Sequence, residues 1–187
     1  MSNTTAIILA AGTSSRMGDV NKMVALWKGE PVISHVVRNV LDSNVMNVIV
    51  VTGFEKEKVE YALRNYSIEL IHNSGYNLGM TSSIKAGVRA AKNDVLICLG
   101  DMPSLHSNDY NKMLPPEEAD KKWIKVPVYH SRRGNPIYFS EHFRNELLGH
   151  DSPDGCKEVI LANEEYVKEI AFESNHVLKD IDTPSDL

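Results

Sequence analysis

The residues best suited to chemistry stand close together near the start of the chain, in the stretch TAIILAAGTSSRMGDVNK at positions 5–22. Gly12 and Gly18 flank a loop of small, hydroxyl-bearing residues, and Arg16 and Lys22 add two cations. Small residues let backbone N–H groups approach an anion closely, and a guanidinium and an ammonium neutralise the charge those amides cradle. The combination suits a phosphate-binding loop at the carboxyl end of the first strand; the plainer alternative is an ordinary βα loop with chance cations. It is not a Walker A loop, which requires G-x-x-x-x-G-K-[ST]: the glycines stand one residue too far apart, and Asp19 follows the second. The dinucleotide fingerprint G-x-G-x-x-G is absent as well.

Two acidic groups complement this loop. Asp101, in Gly100-Asp101-Met102-Pro103, follows the apolar run DVLICL. An Asp at the carboxyl end of a central parallel strand faces the same crevice as the first-strand loop. Mg²⁺ favours carboxylate, water and phosphate oxygens, so Asp101 suits an ion bridging to a nucleotide's phosphates; the plainer alternative is an Asp that caps the next turn. Asp182, in DIDTP at 180–184, sits on a pre-organised Thr-Pro turn. It shares the metal with Asp101 if the end of the chain folds back to the crevice, and is part of a polar tail if it does not. Arg132-Arg133-Gly134-Asn135-Pro136 is a basic turn, suited equally to an acceptor's phosphate and to a solvated hairpin. The seven histidines form no H-E-x-x-H pattern and no G-x-S-x-G elbow is present, which argues against a zinc protease and a serine hydrolase.

The elements that must position these groups follow from hydrophobic period. The run Ala6–Ala11 ends at Gly12 and reads as a buried strand. Pro31 opens a helix whose apolar positions are Ile33, Val36, Val37, Val40 and Leu41. A strand is predicted over Met46–Thr52, a helix over Glu55–Tyr66 and a strand over Ser67–His72. After a loop at 73–79, Thr81 or Ser82 is the expected cap of a helix running to Ala91. The strand Asp94–Leu99 is nearly all apolar, as a parallel strand covered on both faces should be. Past Met102 the rhythm changes. A short helix is expected over Ser107–Leu114, an exposed turn at 115–118, strands over Trp123–Tyr129 and Asn135–Phe139, and a helix capped by Ser140 and ending near Leu148. A helix over Asp154–Ala162 and strands over Tyr166–Phe172 and His176–Asp180 complete the chain. Alternating strands and helices predict an α/β fold of three layers, Rossmann-like, with a mostly parallel sheet and helices on both faces.

Composition narrows the setting. Of 187 residues, 42% are hydrophobic and 24% charged, the balance of a globular protein in one domain. A net charge of −5 disfavours non-specific binding to nucleic acid or to an anionic membrane. Cys98 and Cys156 stand far apart and suggest neither a disulfide framework nor a zinc motif. With no signal-peptide or membrane-span pattern in the sequence, the expectation is a reducing, cytoplasmic setting.

Taken in order, LAAG-x-x-x-RMG with Lys22, GMTSS at 79–83, GDMP at 100–103, RRGNP at 132–136 and DIDTP at 180–184 cover nearly the whole chain. Together they resemble the molybdenum-cofactor nucleotidyltransferases, and more closely their cytidylyltransferase branch: the loop reads Leu-Ala-Ala-Gly here and usually Leu-Ala-Gly-Gly in the guanylyl branch. The family often carries His where this chain has Asn135. The resemblance implies a single nucleotidyltransferase domain over 1–187, with a nucleotide-binding half at 1–103 and an acceptor-binding half at 104–187. It implies Mg²⁺-dependent transfer of CMP from CTP to the phosphate of molybdopterin carrying molybdenum, and a molybdenum hydroxylase as recipient of the product. Arg16 and Lys22 become catalytic. Leu9, Ala10, Ala11, Gly12, Gly79, Ser82, Ser83 and Asp101 join them in nucleotide binding. Arg133 and Asn135 face the acceptor, and Asp101 and Asp182 hold the metal. Two other readings stay open: the same fold acting on a sugar phosphate or alditol phosphate, and a non-catalytic chaperone that carries the molybdenum cofactor.

Overall fold

A computed structural model describes residues 2–18, 20–115 and 122–187. The first strand, β1 (Thr4–Ala10), is buried along its whole length. Its side chains alternate between two cores, as period-two geometry requires: Ala6, Ile8 and Ala10 face one, Ile7 and Leu9 the other. A small hairpin follows, β2 (Leu26–Trp27) with β3 (Glu30–Pro31). Then come α1 (Val32–Leu41), β4 (Asn47–Thr52), α2 (Lys56–Leu63), β5 (Glu69–His72), α3 (Met80–Ala90) and β6 (Asp94–Leu99). The second part contains α4 (Ser107–Met113), β7 (Ile124–Tyr129), β8 (Arg132–Arg133), β9 (Ile137–Phe139), α5 (Arg144–Gly149), α6 (Lys157–Ala162) and β10 (Val167–Ala171).

The main sheet has the order β10-β7-β9-β6-β1-β4-β5, with β8 paired to β7. Strands β5, β4, β1 and β6 run parallel, β9 is antiparallel to β6 and β7, and β10 is parallel to β7. Helices α1, α2 and α4 cover one face, and α3, α5 and α6 the other. The result is the three-layer, mostly parallel α/β fold expected. Chain order reverses at β1, whose neighbours are β4 on one side and β6 on the other. A crevice therefore opens at the carboxyl ends of β1 and β6, where such sheets bind ligands. Helix α3 lies tight against β1 and β4 because residue 87 is Gly: a Cβ there would stand 2.3 Å from Ile7 Cγ2 and 3.1 Å from Val51 Cγ2. Among the described residues no helix is long and apolar enough to cross a membrane.

Several expectations are corrected. The stretch His176–Asp180 is not a strand; Asn175–Leu178 forms a 3₁₀ turn and the chain then runs irregularly. Neither Thr81 nor Ser82 caps α3. Gly79 does, at φ 100°, a conformation open to glycine. Ser140 caps no helix with its side chain; its Oγ accepts from Trp123 N–H at 3.3 Å, and a 3₁₀ turn at Glu141–Phe143 precedes α5. Leu41 is exposed at the end of α1. The turn at 115–118 lies mostly outside the described residues.

Candidate active site

The first loop is built to aim Lys22 inward. Ser14 takes a left-handed conformation, φ 54°. Its carbonyl accepts from Met17 N–H at 2.8 Å, closing a 3₁₀ turn over Ser15–Met17. Its hydroxyl accepts from Lys22 N–H at 3.0 Å, which pins the return of the loop. Asn21, buried, holds the next residues: its Oδ1 accepts from Met23 N–H at 3.0 Å and its Nδ2 donates to Phe54 O at 3.3 Å. A Cβ at Gly12 would meet nothing within 4 Å among the described residues, and Gly12 lines the crevice.

Four charged side chains from distant parts of the chain converge on the crevice. Lys22 Nζ donates to Asp101 Oδ2 and lies 3.5 Å from Asp182 Oδ1. Arg16 Nη1 meets Asp182 Oδ2 at 2.5 Å. The Lys22 side chain is 14% exposed and that of Arg16 69%, so the first pair is sheltered and the second is open to water. Burial raises the Asp101 carboxyl above its usual range, and the Lys22 ammonium opposes that rise. Asp101 Oδ1 is buried and accepts no hydrogen bond from the described residues. An orphaned, buried carboxylate oxygen needs a partner, and a hard cation is one it can take.

The last residues of the chain reach the crevice through defined contacts. Ile181 N–H donates to the Asp101 carbonyl at 2.8 Å, and the Ile181 side chain is buried. In an extended segment, neighbours on either side of an inward residue share the opposite face. Asp180 and Asp182 therefore both face the site, and Asp101, Asp180 and Asp182 can each offer an oxygen within 4.8 Å of the others. Asp180 had not been singled out as a ligand; the Asp-Ile-Asp alternation was the signal for it. Asp186 fastens the turn, its Oδ2 accepting from Asp182 N–H at 3.1 Å and from Thr183 N–H at 2.8 Å. Those bonds hold the Asp186 carboxyl below the usual carboxylate range.

The crevice has a volume of ≈ 410 Å³. Leu9, Ala11, Gly12, Gly79 and Ser83 line it beside the charged cluster. Ala10 does not; its side chain packs into the core under α1. Ser82 does not line it either, because its hydroxyl turns back to the carbonyls of Gly75 and Gly79 at 2.9 and 2.8 Å. Asn73 Nδ2 donates to both Ser82 and Ser83 and so fixes the loop that borders the crevice. Tyr76 and Met80, which sequence reasoning passed over, also line it.

Arg133 and Asn135 stand apart from this cluster, in a second cavity of ≈ 470 Å³. Met80 and Leu99 line both cavities, so the two adjoin. The second is mainly apolar, with Ile84, Val126 and Ile160 in its wall. The Arg133 guanidinium is held by Glu164 at 2.7 and 3.0 Å and by Glu169 at 2.9 Å, which strengthens its hold on its proton. Gly134 packs against the 3₁₀ turn: a Cβ there would stand 2.1 Å from Val177 O, and Asn135 N–H donates to that same carbonyl at 2.9 Å. The basic turn is thus a hairpin that braces the segment leading to Asp180 and Asp182.

Comparison with known proteins places the chain in a family. Residues 6–167 match the model of the MobA-like NTP transferase domain. The molybdenum cofactor cytidylyltransferase of Escherichia coli strain K12 is 30% identical over 188 residues, covering 100% of this chain and 94% of the relative. The nicotine blue oxidoreductase of Paenarthrobacter nicotinovorans is 25% identical, covering 96% of this chain and 92% of the relative. Among solved structures, a nucleotidyl transferase from Methanothermobacter thermautotroptrophicus superimposes with a TM-score of 0.84 at 24% identity, over 98% of this chain and 93% of the other. A Mycobacterium tuberculosis H37Rv protein in complex with manganese does so with a TM-score of 0.80 at 18% identity, over 98% and 95%. The chain belongs to the MobA-like NTP transferase family, a family of nucleotidyltransferases.

Proposed function

We propose that this chain transfers CMP from CTP to the phosphate of molybdopterin carrying molybdenum, with release of pyrophosphate. The observation that carries nucleotidyl transfer is the convergence of Arg16, Lys22, Asp101 and Asp182 on one crevice at the switch point of the sheet. The choice of CTP and molybdopterin rests on likeness to the E. coli cytidylyltransferase along the whole chain. The likeness to nicotine blue oxidoreductase is lower, 25% against 30%, and the paired cations and carboxylates suit phosphate chemistry rather than hydride transfer.

In this reading the triphosphate lies along the 12–22 loop. An acceptor phosphate oxygen attacks the α-phosphorus in line. The bond from that phosphorus to the oxygen bridging to the β-phosphorus breaks, and pyrophosphate leaves. Arg16 and Lys22 stabilise the charge that grows on the leaving group, in a crevice where Lys22 is sheltered from water. The acceptor is already an oxyanion, so no general base is needed. Asp101 and Asp182, joined by Asp180, would hold Mg²⁺, which when bound neutralises the triphosphate and stabilises the pyrophosphate leaving group. Leu9, Ala11 and Ser83 border the space for the nucleoside. The adjoining apolar cavity, with Asn135 at its wall, is the place for the acceptor's ring system. In this reading the half at 1–103 supplies most of the nucleotide site, with Asp180 and Asp182 reaching it from the half at 104–187, and both halves wall the acceptor cavity.

The test is pyrophosphate release with Mg²⁺ and each of CTP, GTP, UTP and ATP, with and without molybdopterin. Release that needs both CTP and molybdopterin is expected. Release with sugar or alditol phosphates instead would move the acceptor, and molybdopterin binding without any Mg²⁺-dependent release would favour a cofactor-carrying chaperone.

A further inference from the structure

We infer that the site is locked by its own cations, so that a divalent ion and a nucleoside triphosphate each bind well only in the presence of the other. The inference rests on the function proposed above and concerns how its two ligands are coupled. The carboxylates that suit the metal are not idle. Lys22 Nζ covers Asp101 Oδ2 and approaches Asp182 Oδ1 at 3.5 Å, and Arg16 covers Asp182 Oδ2 at 2.5 Å. The same two cations are the groups a triphosphate would recruit. A metal arriving alone must therefore displace or face an ammonium and a guanidinium. A triphosphate arriving alone must draw those cations away from carboxylates, one of them buried. When both arrive, each cation moves from carboxylate to phosphate and each freed carboxylate meets the metal, so every group that gives up a partner gains another of opposite charge.

One feature makes the lock tight, and two others give an incoming ion its points of entry. The Lys22–Asp101 pair is sheltered, with side chains 14% and 12% exposed, so water screens it little. The orphaned Asp101 Oδ1 points to a ligand that the lysine does not replace, since the ammonium engages Oδ2 only. Asp180, third of the carboxylates, is not bridged to a cation among the described residues and is the natural first point of contact for an incoming ion. Binding free energies are reciprocal, so the factor by which the triphosphate raises metal affinity is the factor by which the metal raises triphosphate affinity.

The test measures binding without turnover. Free Mn²⁺ is titrated by electron paramagnetic resonance against the wild type, Lys22→Met, Arg16→Gln and Asp101→Asn, with no acceptor present. Each titration is run with and without CTP, with the known Mn²⁺–CTP complex in solution accounted for. The lock predicts that Lys22→Met binds Mn²⁺ alone about tenfold tighter than the wild type, an effect of about 1.4 kcal/mol. Arg16→Gln, at an exposed position, should bind it a few-fold tighter. Both should show less enhancement by CTP than the wild type. Mn²⁺ affinity without CTP that is unchanged or weaker in both variants overturns the lock and leaves the proposed reaction standing. Mn²⁺ binding by Asp101→Asn equal to the wild type would instead remove the metal site itself, and the lock with it.

Discussion

The two cavities that meet at Met80 and Leu99 are built from opposite materials. The crevice under the first loop is charged, and its cations and carboxylates come from residues 16, 22, 101, 180 and 182. Its neighbour is apolar, and its arginine is already held by Glu164 and Glu169. In the proposed function the first recognises a polyphosphate by charge and the second recognises its ligand by shape. The lesson is that electrostatic sites announce themselves as residue types at fixed spacings, whereas a shape-selective pocket is a property of packing and leaves little trace in any one segment.

The sharpest way to break this contrast is Asp101→Ala. Turnover should fall by about a thousandfold or more, with the folded structure intact by circular dichroism. Near-normal turnover would take Asp101 out of the chemistry. Lys22→Ala should come next, with a rate loss of about a hundredfold and a weaker grip on CTP; unchanged rate and affinity would separate Lys22 from the triphosphate.

The third prediction tests how the acceptor side supports the charged side. Gly134→Ala forces a methyl into the Val177 carbonyl. It should lower stability by about 2–3 kcal/mol in denaturant unfolding. It should also lower turnover, because the same turn leads to Asp180 and Asp182. A variant as stable and active as the parent would show that the hairpin is no brace.

A fourth prediction concerns a cation of the second half that does no ligand chemistry. Lys125 is buried on β7 and donates to Leu114 O at 2.5 Å and Lys112 O at 3.3 Å, and burial lowers its pKa to about 8 from 10.5. Between those values the unfolded chain binds more protons at this site than the folded chain does. Stability therefore rises with pH across the window, is fully present above 10.5 and is lost as pH falls through about 8. Relative to Lys125→Met, the wild type should gain on the order of 2 kcal/mol in unfolding free energy between pH 7.5 and about 10.5. Parallel pH profiles for the two proteins would contradict this.

The smallest effect is expected at Arg133. With its guanidinium committed to two carboxylates at an exposed site, Arg133→Ala should change the KM for the acceptor by only a few-fold and leave the KM for CTP alone. A hundredfold loss would mean that Arg133 leaves its glutamates for the substrate.

Much of the fold could be read from the sequence because the first part alternates so regularly. The apolar runs at 46–52 and 94–99 became β4 and β6 nearly residue for residue. The weak points have physical causes. The stretch 176–180 carries the apolar pair Val177-Leu178, yet the Val177 carbonyl is taken by Asn135 N–H and the His176 carbonyl by Lys179 N–H, so it turns instead of pairing. Thr81 looked like a helix cap, but its hydroxyl engages Ser152 O and Gly155 N–H, a contact between segments far apart in the chain. In the crevice, Asp101 was legible because charge at the end of an apolar run is conspicuous, Arg16 and Lys22 because they stand in a loop of small residues, and Asp182 because it precedes a Thr-Pro turn. Asp180 was hidden in plain view beside Asp182. The apolar wall of the second cavity was not legible, because Ile84, Val126 and Ile160 read as ordinary core.

The most direct test of nucleotidyl transfer is to follow phosphorus. The protein is incubated with Mg²⁺, molybdopterin and CTP labelled either at the α-phosphorus or at the γ-phosphorus, and the products are separated. The α label should appear in a cytosine dinucleotide of the pterin, and the γ label in pyrophosphate, with both transfers lost in Asp101→Ala. An α label that appears only as free CMP, or a γ label released as inorganic phosphate, would contradict cleavage between the α- and β-phosphates with transfer to an acceptor.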